Sequence, residues 1–267
     1  MTTLEASIIG IAIWGPGLEG WTASRPILAG ETPYEPRPSP APPPFILPAT
    51  ERRRAGPVIR LALAVAQEAA QQAATASGLE PGSLRSVFGS SNGDGVVVGS
   101  ILEALARGAP GERVVSPTQF HNSVHNAAAG YWCIAHASRQ PATCLGAHDA
   151  TWAASLLKAV VDVAAEGEPV LLACYDHPLP PPLDALRPTA SAFAAGLVLA
   201  PPGHGPLLRL TPGANAQPPS LPAGLQALMN GNAAARALPL LCALAANKAG
   251  RHALDYLGAP LAVEFEP

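Results

Sequence analysis

The chain has 267 residues, 48% of them hydrophobic and 13% charged, with a formal net charge of −3. That length supports one large domain or two small ones with a sizeable core, and the slight negative charge excludes the electrostatic footprint of a nucleic-acid or anionic-membrane binder. So few charges on a folded protein imply that part of its surface is covered, most simply by another subunit.

Residues 7–14 (SIIGIAIW) are short, Ile-rich and closed by Gly15-Pro16-Gly17, which predicts a buried first strand. Residues 32–48 hold the run PRPSPAPPP and predict an extended loop of polyproline character. It reads as a surface connector, with a docking strip for a partner as the alternative. Residues 51–77 carry apolar side chains at helical spacing and predict one helix, ended by Gly78-Leu79-Glu80-Pro81. The three arginines at its start, Arg52, Arg53 and Arg54, read as a solvated helix start; a phosphate or acyl-carrier contact is the alternative.

A second strand is predicted at 86–90 (SVFGS), followed by the turn Ser91-Asn92-Gly93-Asp94-Gly95. Without a following Lys-Ser/Thr or the GxGxxG spacing, that turn is not a phosphate loop. A short helix at 96–107 and a loop at 108–113 lead into residues 116–149, SPTQFHNSVHNAAAGYWCIAHASRQPATCLGAHD. This stretch predicts a helix at 122–137, a Pro-led turn at 139–141 and an apolar strand at 142–147. His148 and Asp149 then precede TWAASLLKAVVDVAA, a helix apolar enough to be buried on every side. Strands follow at 168–175, 191–200 and 206–211, then a loose linker at 213–222, helices at 225–229 and 233–249, and a last strand at 261–265.

The segment 116–149 resembles the active-site region of β-ketoacyl synthases, the condensing enzymes of the thiolase superfamily. Ser116-Pro117, Asn126, Ala129-Gly130 and Pro141 match their pattern without a gap, and the family's nucleophilic cysteine falls on Asp149. The resemblance spans residues 8–211, including the opening strand, the Gly/Ser turn at 91–95 and two closing hairpin strands. It implies an α/β, thiolase-like fold: one N-terminal half (1–211) with a mixed, mostly parallel sheet and helices on both faces, plus a short helical C-terminal part (212–267) packed on it.

Condensation needs a thiolate to carry the acyl chain and two histidines to polarise the malonyl thioester. In the family both histidines come from a second half, and none of the seven here sits in such a context; Gly203-His204-Gly205 lies in a turn of the first half. An acid at 149 makes a poor replacement, since a mixed anhydride formed from a thioester lies uphill, and Asp before a helix reads as a cap. Cys144, mid-strand and away from a helix terminus, reads as an inert thiol. His121 and His125, four apart on a predicted helix, could share a face, but no third metal ligand is placed. Cys133, Cys144, Cys174 and Cys242 sit far apart in apolar runs, as reduced thiols do, and no spacing suggests zinc. The start MTTLEAS lacks a signal peptide's basic flank, which predicts a cytoplasmic protein without a membrane span.

The resemblance therefore implies a subunit with no catalytic residue, cofactor or metal of its own, similar to the chain-length factors of type II polyketide synthases. Its short length is closer to the ketosynthase-like proteins of aryl polyene synthesis. It implies a heterodimer with a full-length ketosynthase and indirect dealings with acyl carrier protein. Ala142, Thr143, Cys144, Leu145, Gly146 and Ala147 would form the cross-subunit strand, and Gln119, Phe120 and Ser123 would face the partner's acyl tunnel. The rival is an acyl-transfer or thioesterase enzyme using Cys144 or the His148/Asp149 pair.

Overall fold

The computed structural model describes residues 2–107, 114–219, 221–222 and 224–267; the loop expected at 108–113 lies outside them. In chain order the elements are β1 (Leu4–Gly15), β2 (Leu18–Glu19), α1 (Trp21–Leu28), α2 (Ala49–Arg54), α3 (Pro57–Ser77), β3 (Arg85–Gly89), α4 (Gly95–Arg107), α5 (Pro117–Ser123) and α6 (Ala127–His136). Then come β4 (Ala142–Leu145), α7 (Thr151–Glu166), β5 (Val170–Asp176), β6 (Phe193–Ala200), β7 (Leu207–Pro212), α8 (Leu225–Gly231), α9 (Leu238–Ala245), β8 (Gly250–Tyr256) and β9 (Ala259–Glu266).

Among the described residues, the strands join one sheet in the order β4-β3-β5-β6-β1-β7-β9-β8, with β2 paired to β1. Helices cover both faces, as the α/β reading expects. Strand β5 shows how: Val170, Leu172 and Cys174 enter a core with α7, α1 and α9, while Leu171, Ala173 and Tyr175 enter a second core with α3 and α6. That is the two-residue alternation of a strand buried on both sides.

The sheet is mixed, but the expected excess of parallel pairs is corrected. Only β3–β4 and β3–β5 are parallel, because helices connect those strands and return the chain to the same end. The remaining pairs are antiparallel. The expected closing hairpin is also corrected: β6 and β7 flank β1, which is long enough to pair with β6 along Ser7–Trp14 and with β7 along Leu4–Ser7.

Three further expectations change for local reasons. The single helix over 51–77 breaks between α2 and α3, since Gly56, extended at φ −70° and ψ 175°, precedes Pro57 and the residue before proline avoids helical geometry. The helix over 122–137 is instead α5 and α6, with Val124 extended between them. The C-terminal part is not wholly helical: β8 and β9 form a hairpin, and β9 pairs with β7 to extend the sheet. Its two-residue turn, Leu257-Gly258, has positive φ at both positions, as a type I′ turn requires.

Glycine sets how closely α3 lies on the sheet. A Cβ at Gly196 of β6 would stand 2.6 Å from the Val65 carbonyl oxygen of α3, and one at Gly10 of β1 would collide with the Ala69 carbonyl. Gly10→Ala is therefore expected to destabilise the chain by about 1–3 kcal/mol through overpacking. Gly130→Ala, at an exposed position of α6 where a Cβ meets nothing within 4 Å, is expected to stabilise by about 0.5–1 kcal/mol. Urea unfolding of the two variants checks the opposite signs.

Candidate functional site

The C-terminal ends of the parallel strands β3, β4 and β5 meet at one polar cluster, the location where open α/β sheets present functional groups. The 91–95 turn after β3 wraps around a carboxylate. Asp176, at the end of β5, is 1% exposed. Its Oδ1 accepts from Ser91 N (2.8 Å), Asn92 N (3.0 Å) and the Ser90 hydroxyl (3.0 Å). Among the described residues its Oδ2 has no partner. Burial pushes the Asp176 carboxyl up to about 6, opposed by those donors and by the charge of Arg187. Asn92 fixes the turn to the next loop by donating to the Thr189 hydroxyl (2.9 Å) and the His177 carbonyl (3.2 Å).

Arg187 reaches this turn from the proline-rich loop after β5. Its Nε and Nη2 donate to the Ser91 hydroxyl at 3.2 and 2.8 Å, and its Nη1 lies 2.7 Å from Asp149 Oδ1. Arg236, in the turn before α9, sits 3.5 Å from Asp149 Oδ2, and His148 Nδ1 3.6 Å from Oδ1. Burial acts to raise the Asp149 carboxyl, but the Arg187 hydrogen bond and the charges of Arg187, Arg236 and His148 outweigh it and hold it below the usual carboxylate range. Asp149 is an anion at neutral pH, engaged by two guanidinium groups.

The cap expected of Asp149 is corrected by this geometry. The helix α7 starts after a tight turn at 148–150 in which His148 has φ +52°, and no side chain caps its first residues. The Thr151 hydroxyl takes the local bonds instead, donating to the His148 carbonyl (2.6 Å) and accepting from Ala147 N (3.0 Å). The Asp149 side chain turns to the two arginines and makes no cap bond.

Other residues singled out in the sequence fall nearby without joining the cluster. Cys144 pairs in register with Phe88, and burial with Cys133 close by pushes its thiol up to about 11, so it is protonated at neutral pH. All four cysteines are free. The break between α5 and α6 separates His121 from His125: the former stacks edge-on against Tyr131, and the latter bonds the Ser90 carbonyl (3.0 Å). Gln119 donates to the Ser100 hydroxyl of α4 (3.1 Å), Ser123 donates to the Phe120 carbonyl, and Phe120 is 67% exposed. Among the described residues, seven of the eleven exposed large hydrophobic side chains fall between Val96 and Ile134, so the connection from β3 to β4 carries the uncovered apolar surface. Among the described residues, strand β4, with Ala142, Thr143, Cys144 and Leu145, is paired only to β3 and forms a sheet edge, while Gly146 and Ala147 lead out of it. Sequence reasoning missed Arg187, Arg236 and the carboxylate-binding role of Ser91 and Asn92.

A family model described as the N-terminal domain of β-ketoacyl synthase matches residues 29–254. The chain belongs to that family. Among solved structures, it resembles a chain of the ketosynthase ApeO in complex with its chain length factor ApeC from Xenorhabdus doucetiae, at 18% identity and a TM-score of 0.72, covering 99% of this chain and 100% of that one. The ishigamide ketosynthase/chain length factor aligns at 12% identity and 0.68, covering 98% of each chain. The AntDE:AntF complex, an acyl-carrier protein with its ketosynthase, aligns at 11% and 0.70, covering 99% of each. Likeness at these identities establishes a shared thiolase-like fold. A sequence comparison with curated proteins finds no match. Among the described residues, no helix is long and apolar enough to cross a membrane, and no group of three or more metal-ligating side chains forms.

The two carboxylates respond oppositely to pH. Asp176, raised in the fold, adds stability that is complete below about pH 4 and is lost as pH rises through about 6, on the order of 2–3 kcal/mol. Asp149, depressed in the fold, adds stability above the ordinary carboxylate range that is lost on acidification. Asp176→Asn keeps an acceptor for the turn and no longer titrates. Its stability relative to wild type is expected to improve between about pH 4 and about pH 6, as read by urea unfolding across that interval.

Proposed function

We propose that this chain is a non-catalytic ketosynthase-like subunit of the chain-length-factor type. It pairs with a full β-ketoacyl synthase and shapes the tunnel in which that enzyme's acyl chain grows. One observation carries the reading: Asp149, the residue aligned with the family's nucleophilic cysteine, is a carboxylate held by Arg187 and Arg236. A carboxylate so neutralised is a weak nucleophile, and its acyl adduct would be an anhydride at higher energy than the thioester. Cys144, protonated at neutral pH, does not supply the missing thiolate.

The pairing surface follows from what is left uncovered. Strand β4 offers unpaired backbone groups along one edge, and an exposed edge beside apolar helices calls for a protein cover. In the proposed heterodimer β4 lies against its counterpart across the pair axis. Phe120, projecting from α5, faces the partner's tunnel, with Gln119 and Ser123 anchoring that helix. The solved relatives include a ketosynthase with a chain length factor and a ketosynthase with an acyl-carrier protein, which agrees with carrier-borne acyl chains reaching this subunit through its partner. Polyketide and aryl polyene synthesis are the settings this fits, in the cytoplasm.

Co-expression with a ketosynthase holding an intact Cys-His-His set tests the pairing. The expected result is an equimolar complex by size exclusion with light scattering, and a chain that aggregates when produced alone. A soluble monomer that ignores every such ketosynthase contradicts the proposal. Within the complex, Phe120→Ala is expected to lengthen the products, read by mass spectrometry of the released chains. Unchanged lengths would remove Phe120 from the tunnel.

A further inference from the structure

The proline tract, expected as a surface connector, is pinned to the end of β1, and its packing creates a groove on the α3 layer. Trp14 Nε1 donates to the Ser39 carbonyl (2.9 Å), and Gly17 N donates to the Ser39 hydroxyl (3.0 Å) and the Arg37 carbonyl (2.9 Å). Pinned in this way, residues 42–46 stand off from α3 and enclose with it a cavity of about 590 Å³, in the range of binding pockets. Trp14, Pro43, Ile46, Leu63 and Ala64 give it apolar walls. The one acid in the lining, Glu68, is already accepting from Trp21 N at 2.6 Å.

One lining residue of this groove carries a cation. Phe45, 75% exposed, carries the Arg52 guanidinium 5.1 Å from its ring centroid, and Arg53 beside it is exposed. Of the three arginines of α2, Arg54 alone forms an ion pair among the described residues, with Glu51. A chain with a net charge of −3 thus holds one guanidinium, that of Arg52, over the exposed ring of a cavity-lining residue, with exposed Arg53 next to it in α2. A solvated helix start would need neither the cavity nor the exposed aromatic ring under Arg52.

We propose that this groove docks an acidic amphipathic segment of another protein, whose apolar side chain enters the cavity between residues 42–46 and α3 while its carboxylates meet Arg52 and Arg53. Charge complementarity selects the partner's chemistry, and the apolar walls select one bulky side chain. The docking site packs over β1, β5 and β6 by way of α3, apart from the free edge of β4. It therefore does not depend on pairing with a ketosynthase and can be tested with or without one.

The probe is a fluorescently labelled synthetic helix of about four turns, with Leu along one face and Glu on the other, read by anisotropy against the full chain or its complex. The expected result is saturable binding that weakens as ionic strength rises to about 0.5 M, and no binding of the same helix with Lys in place of Glu. The double variant Arg52→Glu/Arg53→Glu is expected to weaken binding at least about tenfold, and Ala64→Trp, which fills the cavity, to do the same. Arg139→Glu, at the turn before β4, leaves it unchanged. Equal binding of the Lys helix, or of the Glu helix by the double variant, overturns the proposal. So does binding of phosphatidylcholine–phosphatidylserine vesicles in place of the acidic helix, which would make the rim a lipid contact.

Discussion

An ionic chain, Asp176–Ser91–Arg187–Asp149, ties together the ends of three parallel strands, and the shape of the site depends on it. Parallel strands bring their carbonyl ends to one side of the sheet, where loops must satisfy backbone donors without a following strand to help. Here a buried carboxylate collects the donors of the 91–95 turn, and the serine of that turn receives an arginine from the next loop. The arginine then reaches the acid before α7. Each group bonds to the next, so the acid at 149 is tied into the site through its arginines.

The same sheet explains why a chain of this length can hold a stable core and still leave one side uncovered. At one edge, β8 and β9 continue the sheet beyond β7, and α8 and α9 supply the apolar cover for its far half. At the other edge β4 stops the sheet, and the connection between β3 and β4 carries exposed Val96, Leu102, Leu105, Phe120, Val124 and Ile134. The low charge of the sequence has its structural counterpart there. Burial of the remaining core does not need these side chains, and an exposed apolar patch of this kind suits the pairing proposed above.

Much of the fold was legible in the sequence because local chemistry and burial agree. Strands β3, β5 and β6 are short apolar runs and β1 a longer one, each with Gly or Pro at or next to an end, and α3 and α7 have long apolar faces. Strand β8 was not legible: in RHALDY only His252 and Leu254 are buried, and an edge strand with polar residues outward carries a weak period. The gap-free match around Asp149 led to the strand end where the polar cluster lies. The site itself was only half readable. Local rules assign Asp before a helix to a cap, whereas here the acid pairs with Arg187 and Arg236, far along the chain in a proline loop and a tight turn. No periodicity announces an ion pair of that separation. The carboxylate grip of Ser91 and Asn92 is hidden for the same reason, since it depends on β5 lying beside β3.

Intact-protein mass spectrometry of the assembled pair, taken after exposure to an acyl-carrier thioester, tests the central claim most directly. The account predicts an acyl mass on the ketosynthase chain alone and an unmodified mass for this one, with the same outcome when Asp149 is replaced by Asn. An acyl adduct on this chain that is passed on or elongated would contradict it.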